Sequence, residues 1–211
     1  MNFSLKKLST YCQDHSTSVQ EILSQLERET HLKTLSPQMI SGPLQGQLFS
    51  IISKIKQPLK ILEIGTFTGY AAICLAQGLT SGGSLTTIES NIELKHISEK
   101  FFAQAGLAET INQLWGDAKK IVPTLDDQYD LIYIDAGKKD YGLYFDLVIE
   151  KLNPEGIILV DNVLWSGKVV NSQKDKDTAI MDAFNKKILH DQRVEQVMLP
   201  IRDGLTIILK K

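Results

Sequence analysis

The sequence predicts an α/β fold, a mostly parallel sheet with helices on both faces. Three observations predict it. From residue 59 onward, short apolar runs alternate with longer mixed segments, the rhythm of strand, crossover helix and next strand. The first run ends in a glycine-bearing turn that opens a helix, Glu63-Ile64-Gly65-Thr66-Phe67-Thr68-Gly69-Tyr70. The last two runs are joined by a loop of a few residues around Asp203-Gly204, and so short a connection permits only an antiparallel pair. One antiparallel strand is therefore expected in a sheet whose other crossovers are parallel and right-handed.

The elements follow in order. Residues 1–40 read as helix, with Val19, Ile22, Leu23 and Leu26 at three- and four-residue spacing and Ser16 to Ser18 as N-cap candidates ahead of them. Pro37 breaks that run, and a second helix starts near Pro43 and carries Leu48, Ile51, Ile52 and Ile55. Residues 59–64 read as a buried strand, 70–79 as a helix, 84–88 as a strand and 92–104 as a helix. Residues 111–115 give a weaker strand, 130–134 a strong one, and 141–151 a helix. Asn153-Pro154-Glu155-Gly156 reads as a turn before a buried strand over 157–160. A helix over 178–188 and strands over 194–199 and 205–209 complete the chain. The expected organisation is one domain, with a helical extension over 1–40 and a core over 41–211.

Composition narrows the function. The chain has 211 residues, 23 Lys plus Arg and 25 Asp plus Glu, for a formal net charge of −2. That balance lacks the basic bias of a dedicated nucleic-acid binder. With 43% hydrophobic and 23% charged residues, the chain has enough to bury, which excludes disorder as a whole. Cys12 and Cys74 form no C-x-x-C pair, so zinc-ribbon, thioredoxin-like and disulfide-framework readings fail, and a reducing compartment fits. The longest apolar runs fall far short of a membrane span, and residues 1–10 lack the apolar stretch of a secretory signal. A cytoplasmic protein with no nucleic-acid or membrane partner is expected.

The turn after the first strand points to a cofactor. Gly65 and Gly69 let the backbone turn tightly and let a ligand approach. The dinucleotide fingerprint G-x-G-x-x-G is absent, because Phe67 stands where its middle glycine would be. A pyrophosphate is thus not the expected ligand, and Glu63 beside the turn suits a cationic or hydroxyl-bearing one. Glu89 ends the second strand, 20 residues past Gly69, where an acid can accept the hydroxyls of a ribose. Each signal alone is weak: a glycine pair is often only a tight turn, and Glu89 alone reads as a helix cap. Together on one strand-helix-strand unit they favour a nucleoside without pyrophosphate, and S-adenosylmethionine fits.

Two later strands end in acids, one in Asp135 and the other in Asp161-Asn162. They lie 26 residues apart, one crossover, so their tips share the ligand-binding edge of a parallel sheet. Two carboxylates and an amide oxygen form a hard-oxygen set suited to a divalent cation, Mg²⁺ first, with Ca²⁺ or Mn²⁺ as alternatives. Any one of these acids alone reads as a helix cap; the set favours a metal. His15, His31, His96 and His190 show no metal spacing. Lys138, three residues after Asp135, is a candidate base, though a lysine beside Lys139 is more commonly only solvated. Tyr141 and Trp165 flank the same edge, either to stack on an aromatic substrate or to close the core.

The chain resembles the cation-dependent O-methyltransferases, the family of catechol and caffeoyl-CoA O-methyltransferases, and most of all their small bacterial members. The segments that carry the resemblance are Met39-Ile-Ser-Gly-Pro-Leu-Gln-Gly46, Leu62-Glu-Ile-Gly-Thr-Phe-Thr-Gly-Tyr70, Ile134-Asp-Ala-Gly-Lys138, Asp161-Asn-Val-Leu-Trp-Ser-Gly-Lys168 and Leu199-Pro-Ile-Arg-Asp-Gly-Leu205. It implies a Rossmann-like class I methyltransferase fold, seven strands with a last antiparallel one and a helical N-terminal extension. It implies that Met39, Ser41, Glu63, Gly65, Thr66 and Phe67 lie around S-adenosylmethionine, together with Gly69, Tyr70, Ala71, Glu89, Ala118 and Asp135, and that Asp117 lies near the adenine. Asp135, Asp161 and Asn162 match the metal ligands, Lys138 matches the proposed base, and Lys138, Tyr141 and Trp165 fall on the acceptor side. The resemblance further implies methyl transfer to one hydroxyl of a small vicinal dihydroxy aromatic acceptor, and a homodimer. Relatives usually carry an acid where this chain has Gly137, so one carboxylate beside the acceptor is missing. Two rival readings are a nicotinamide-dependent oxidoreductase on a related sheet, which the missing fingerprint opposes, and a non-catalytic cofactor-binding module.

Overall fold

The computed structural model describes residues 5–211. Helices α1 (Leu5–Asp14) and α2 (Glu21–Lys33) are followed by a 3₁₀ turn at Pro37–Met39 and by α3 (Gly42–Lys56). The core then runs β1 (Lys60–Ile64), α4 (Tyr70–Ala76), β2 (Ser84–Glu89), α5 (Lys95–Gln104) and β3 (Ile111–Trp115). It continues through α6 (Ala118–Ile121), β4 (Tyr129–Ile134), α7 (Tyr141–Ile149) and β5 (Leu152–Asp161). Helix α8 (Lys176–Leu189) and strands β6 (Val194–Leu199) and β7 (Leu205–Lys210) close it. The described strands form one seven-stranded sheet in the order β3-β2-β1-β4-β5-β7-β6. Strand β7 is antiparallel to β5 and to β6, and the other pairs are parallel. This is the single antiparallel strand that the short 200–204 connection requires.

The central strands are buried on both faces, which is why they read as near-continuous apolar runs. Their side chains alternate between two layers. Leu62, Ile132, Ile134, Ile158 and Val160 pack under α7 and α8 with Phe145, Met181 and Phe184. Ile61, Leu131, Tyr133 and Leu159 face the other way, against Leu26, Phe49 and the small residues of α4. Each fully buried aliphatic side chain stabilises the sheet by about 1.5–3 kcal/mol. Strand order reverses between β1 and β4, so the crevice at their carboxyl ends is where such a sheet holds ligands.

Three expectations are corrected. The helix expected over residues 1–40 falls outside the described residues for its first four positions and is otherwise broken between α1 and α2. At that break Ser16 Oγ donates to the Cys12 carbonyl at 2.6 Å, satisfying an end of α1 rather than capping α2. The N-cap position of α2 is Gln20, with no side-chain cap, so Ser16 to Ser18 are not its caps. The turn expected at residues 153–156 lies inside β5. Tyr129 pairs with Leu152 and Leu131 with Ile157, so five steps on β5 oppose two on β4, and Glu155 takes a left-handed φ of 58°. Turn-forming residues here make a bulge while the flanking pairs hold the strand.

Candidate active site

A cavity of about 520 Å³ opens at the carboxyl ends of β1, β2 and β4. Gly65 and Phe67 line it from the β1–α4 turn, Glu89 from β2, and Asp117 and Ala118 from the start of α6. Asp135, Gly137 and Lys138 line it from the end of β4, and Met39 from before α3. A narrower recess shares Met39, Gly65, Phe67 and Asp135 and reaches Ser41, Thr66, Tyr70, Ala71 and Tyr133. A third cavity, about 270 Å³, shares Gly137 and Lys138 with the first and continues past Trp165.

The turn owes its shape to close packing. Gly65 has φ of +100°, and a Cβ there would stand 2.0 Å from the Asp135 carbonyl oxygen. The tips of β1 and β4 can therefore meet only over a glycine. Phe67 adopts φ of 50° without being glycine, and its N–H donates to Glu89 Oε2 at 2.8 Å. Glu89 Oε1 accepts from the Asn91 N–H at 2.8 Å. Oε1 also accepts from the Ser90 hydroxyl at 3.5 Å, so Oε2 is the oxygen that keeps a lone pair for a ligand hydroxyl. Asp117 caps α6 through the Lys119 N–H at 3.0 Å while facing the cavity.

Two of the residues expected around the cofactor stand back from these cavities. Glu63 is fully buried and lines neither the large cavity nor the recess. It accepts from the Thr87 hydroxyl, its Oε1 has no partner, and burial pushes its pKa up to about 8. Gly69 also lies outside both linings; it heads α4 with φ of +95°, where a Cβ would strike Phe102.

One residue past the Ile134–Val160 register pair, Asp135 and Asp161 end their parallel strands. The Tyr133 hydroxyl lies 3.1 Å from Asp161 Oδ2 and 3.3 Å from Asp135 Oδ2. Gln45 Nε2, from α3, donates to Asp161 Oδ2 at 2.7 Å, and the Asn162 N–H donates to Oδ1 at 2.7 Å. Asn162 has a left-handed φ of 59°, a conformation this side chain tolerates. Burial, then the Asp135 charge, raises the Asp161 pKa to about 6 against the opposing bonds from Gln45 and Asn162. Burial and the two aspartates hold the Tyr133 and Tyr141 phenols well above their ordinary range.

Lys138 Nζ pairs with Asp135 Oδ1 at 2.5 Å and donates to the Tyr141 hydroxyl at 2.8 Å. Tyr141 in turn donates to the Asp161 carbonyl at 3.0 Å. Its ring is fully buried and meets Phe184 edge-on at 5.5 Å. Of the two roles open to Tyr141 in the sequence, the ring takes the one in the core, and the hydroxyl is a strut for Lys138. Trp165 does line the third cavity.

The donor set fits a divalent cation. Among the described residues no three or more His, Cys, Asp or Glu side chains gather, so a cation would rest on Asp135, Asp161 and neutral oxygens. The Asn162 amide is one such oxygen, and the buried, unpartnered Gln45 Oε1 lies on the side chain bonded to Asp161. Two neighbouring carboxylates, one with its pKa raised, share the single charge of Lys138, and a divalent cation would balance the rest.

Sequence reasoning missed Tyr133, Gln45 and Arg202. Tyr133 precedes Asp135 by two residues, so strand alternation puts both on one face, a signal available from the sequence. Gln45 and Asp161 meet across 116 residues of chain, which only the fold reveals. Arg202 donates to the Ser41 carbonyl at 2.6 Å and the Gln38 carbonyl at 3.1 Å, holding the segment above the recess.

The sequence profile of one family, described as O-methyltransferase, matches residues 13–211. A probable caffeoyl-CoA O-methyltransferase 1 of Dictyostelium discoideum is 31% identical over 207 residues, covering 95% of this chain and 90% of the relative. The SAH-bound methyltransferase PaMTH1 of Podospora anserina superposes with a TM-score of 0.91 at 25% identity, over 100% of this chain and 98% of that one. The O-methyltransferase TomG of Streptomyces achromogenes, solved with SAM, gives 0.87 at 28% identity, over 97% of this chain and 96% of that one.

Proposed function

The chain belongs to the O-methyltransferase family and is an S-adenosylmethionine-dependent O-methyltransferase, and on that premise we propose that it requires a divalent cation and methylates one hydroxyl of a small vicinal dihydroxy aromatic acceptor. One observation carries the proposal: Asp135 and Asp161, at adjacent strand tips, share the Tyr133 hydroxyl at the edge of the cofactor-sized cavity. Mg²⁺ is the first choice among cations, because the donors are hard oxygens.

Asp135, Asp161 and Asn162 would hold the cation, and Glu89, Asp117, Ser41 and the Gly65–Phe67 backbone would hold the cofactor. When bound, the cofactor supplies an electrophilic methyl on a positive sulfur, and the cation acidifies and orients neighbouring hydroxyls. Lys138 Nζ is the candidate base for the proton of the acceptor hydroxyl, and Tyr141 keeps Nζ aimed at that spot. With the cofactor bound, the acceptor oxygen would be the nucleophile for its methyl carbon, and the neutral thioether would be the leaving group.

A cytoplasmic setting and a homodimer belong to the same reading. Two free cysteines support the first; among the described residues no helix is long and apolar enough to cross a membrane. The test is labelled S-adenosylmethionine with a panel of vicinal diphenols, with and without chelator. Transfer that ignores the chelator sinks the metal role, and transfer to none of the diphenols sinks the acceptor.

A further inference from the structure

Residues 37–41 form one wall of the cofactor site. Met39 lines the large cavity, and Met39, Ile40 and Ser41 line the recess beside it. Inside this segment the Met39 and Ile40 N–H groups make local turn bonds, to the Ser36 and Pro37 carbonyls at 3.1 and 3.2 Å. Those bonds shape the turn without fixing it over the recess. Ile40 is seated in the core, but Met39 is 56% exposed.

Arg202, in the turn between β6 and β7, ties the segment down. Its Nη1 donates to the Ser41 carbonyl at 2.6 Å and its Nη2 to the Gln38 carbonyl at 3.1 Å, so one planar guanidinium spans most of the segment. Among the described residues no other side chain hydrogen-bonds to residues 37–41. Arg202, unlike Arg193, has no carboxylate partner among them, so its charge goes into strengthening these two bonds.

The backbone on both sides is shaped to this contact. Arg202 adopts a left-handed φ of 51°, a strained choice for a residue with a side chain. Gly42 has φ of +75°, and a Cβ there would stand 3.0 Å from Arg202 Nη1. The turn that carries Arg202 is itself anchored. The Gly204 N–H donates to the Ile201 carbonyl at 2.8 Å and the Leu164 N–H to the Asp203 carbonyl at 2.8 Å. The Asp203 carboxylate also accepts from the Ser166 N–H. Arg202 therefore reaches from a turn fixed on residues 164–166 across to the cofactor wall.

We propose that Arg202 is a positioning residue for the cofactor: its guanidinium latches residues 37–41 over bound S-adenosylmethionine and sets how fast SAH leaves. The proposal rests on the reading of the recess as part of the cofactor site.

The test follows release of labelled SAH under an excess of unlabelled SAH. R202G is the main variant, because glycine suits the left-handed backbone and removes only the side chain. Its melting midpoint should stay within about 3 °C of the wild type. SAH should leave it about ten-fold faster, the scale of a charge-assisted hydrogen bond. A lysine keeps the charge but cannot fork across two carbonyls, so R202K should release SAH at an intermediate rate. A guanidinium that served only the fold would lower the melting midpoint and leave release alone. Release from R202G within about two-fold of the wild type overturns the proposal, as does R202K releasing as fast as R202G. If the wild type binds no SAH, the cofactor reading itself has failed, and hydrogen exchange decides the latch alone. Faster exchange at residues 37–41 in R202G supports it, and equal exchange overturns it.

Discussion

The Tyr133 hydroxyl donates to Asp161 Oδ2 across 3.1 Å, and the same oxygen stands 3.3 Å from Asp135 Oδ2. A phenol has one proton to give, and burial beside two carboxylates keeps it on the oxygen. Tyr133 is therefore the neutral bridge of a carboxylate pair whose one cationic partner is Lys138, at Asp135. Y133F removes the bridge and keeps the ring against Phe49. The variant should lose about 1–3 kcal/mol of stability without divalent cation. Saturating Mg²⁺ should recover part of the loss, so its thermal shift should exceed that of the wild type. An equal loss with and without the cation would show that the hydroxyl serves only packing.

Glu63 makes stability depend on pH. Its pKa rises from an ordinary 4.5 to about 8, first through burial and then through Asp135 and Glu89, against the Thr87 hydrogen bond. A carboxyl with a raised folded pKa takes up a proton on folding. Its contribution is whole below about 4.5, falls as pH rises through about 8, and is constant above. At up to 1.36 kcal/mol per pH unit the loss is on the order of 5 kcal/mol. E63Q mimics the protonated form and still accepts from Thr87. Urea melts across that window should show the wild type losing stability relative to E63Q; parallel curves would refute the buried proton.

The central sheet was legible because strands buried on both faces must be apolar along their length, as in residues 131–134 and 157–160. Strand β7 was legible because five residues cannot cross a sheet. The start of β5 was not: Pro154, Glu155 and Gly156 carry turn chemistry, and only pairing of Leu152 with Tyr129 keeps them in the strand. In the site, Asp135 and Asp161 showed themselves as acids at strand tips. Gln45 did not, since its partner is 116 residues away. Tyr141 was ambiguous for a physical reason: an aromatic at a helix start has one spelling whether it covers a ligand or fills the core.

Two glycines separate required from incidental freedom. At Gly65 a side chain meets the Asp135 carbonyl oxygen at 2.0 Å in a left-handed backbone. G65A should cost more than about 3 kcal/mol and weaken SAH binding. Gly142 lies within α7, with nothing within 4 Å of its ideal Cβ. G142A should add about 0.5–1 kcal/mol by helix propensity. Denaturant midpoints of the two variants moving the same way would contradict the packing at the β1 tip.

Tyr141 distinguishes a strut from a platform. Its hydroxyl accepts from Lys138 and donates to the Asp161 carbonyl, while its ring is sealed against Phe184. Y141F keeps the ring and its volume but deletes both hydrogen bonds. Lys138 then loses the contact that fixes Nζ, and a buried carbonyl at the end of β5 loses its donor. Turnover should fall about ten-fold, the scale of one or two buried hydrogen bonds. Cofactor affinity and acceptor KM should stay within about two-fold, because the ring touches neither cavity wall. If the ring instead lay on the acceptor, phenylalanine would serve as well as tyrosine and turnover would hold. Steady-state kinetics of Y141F beside K138M decides between these outcomes, since a strut lost and the lysine lost should depress kcat in the same direction.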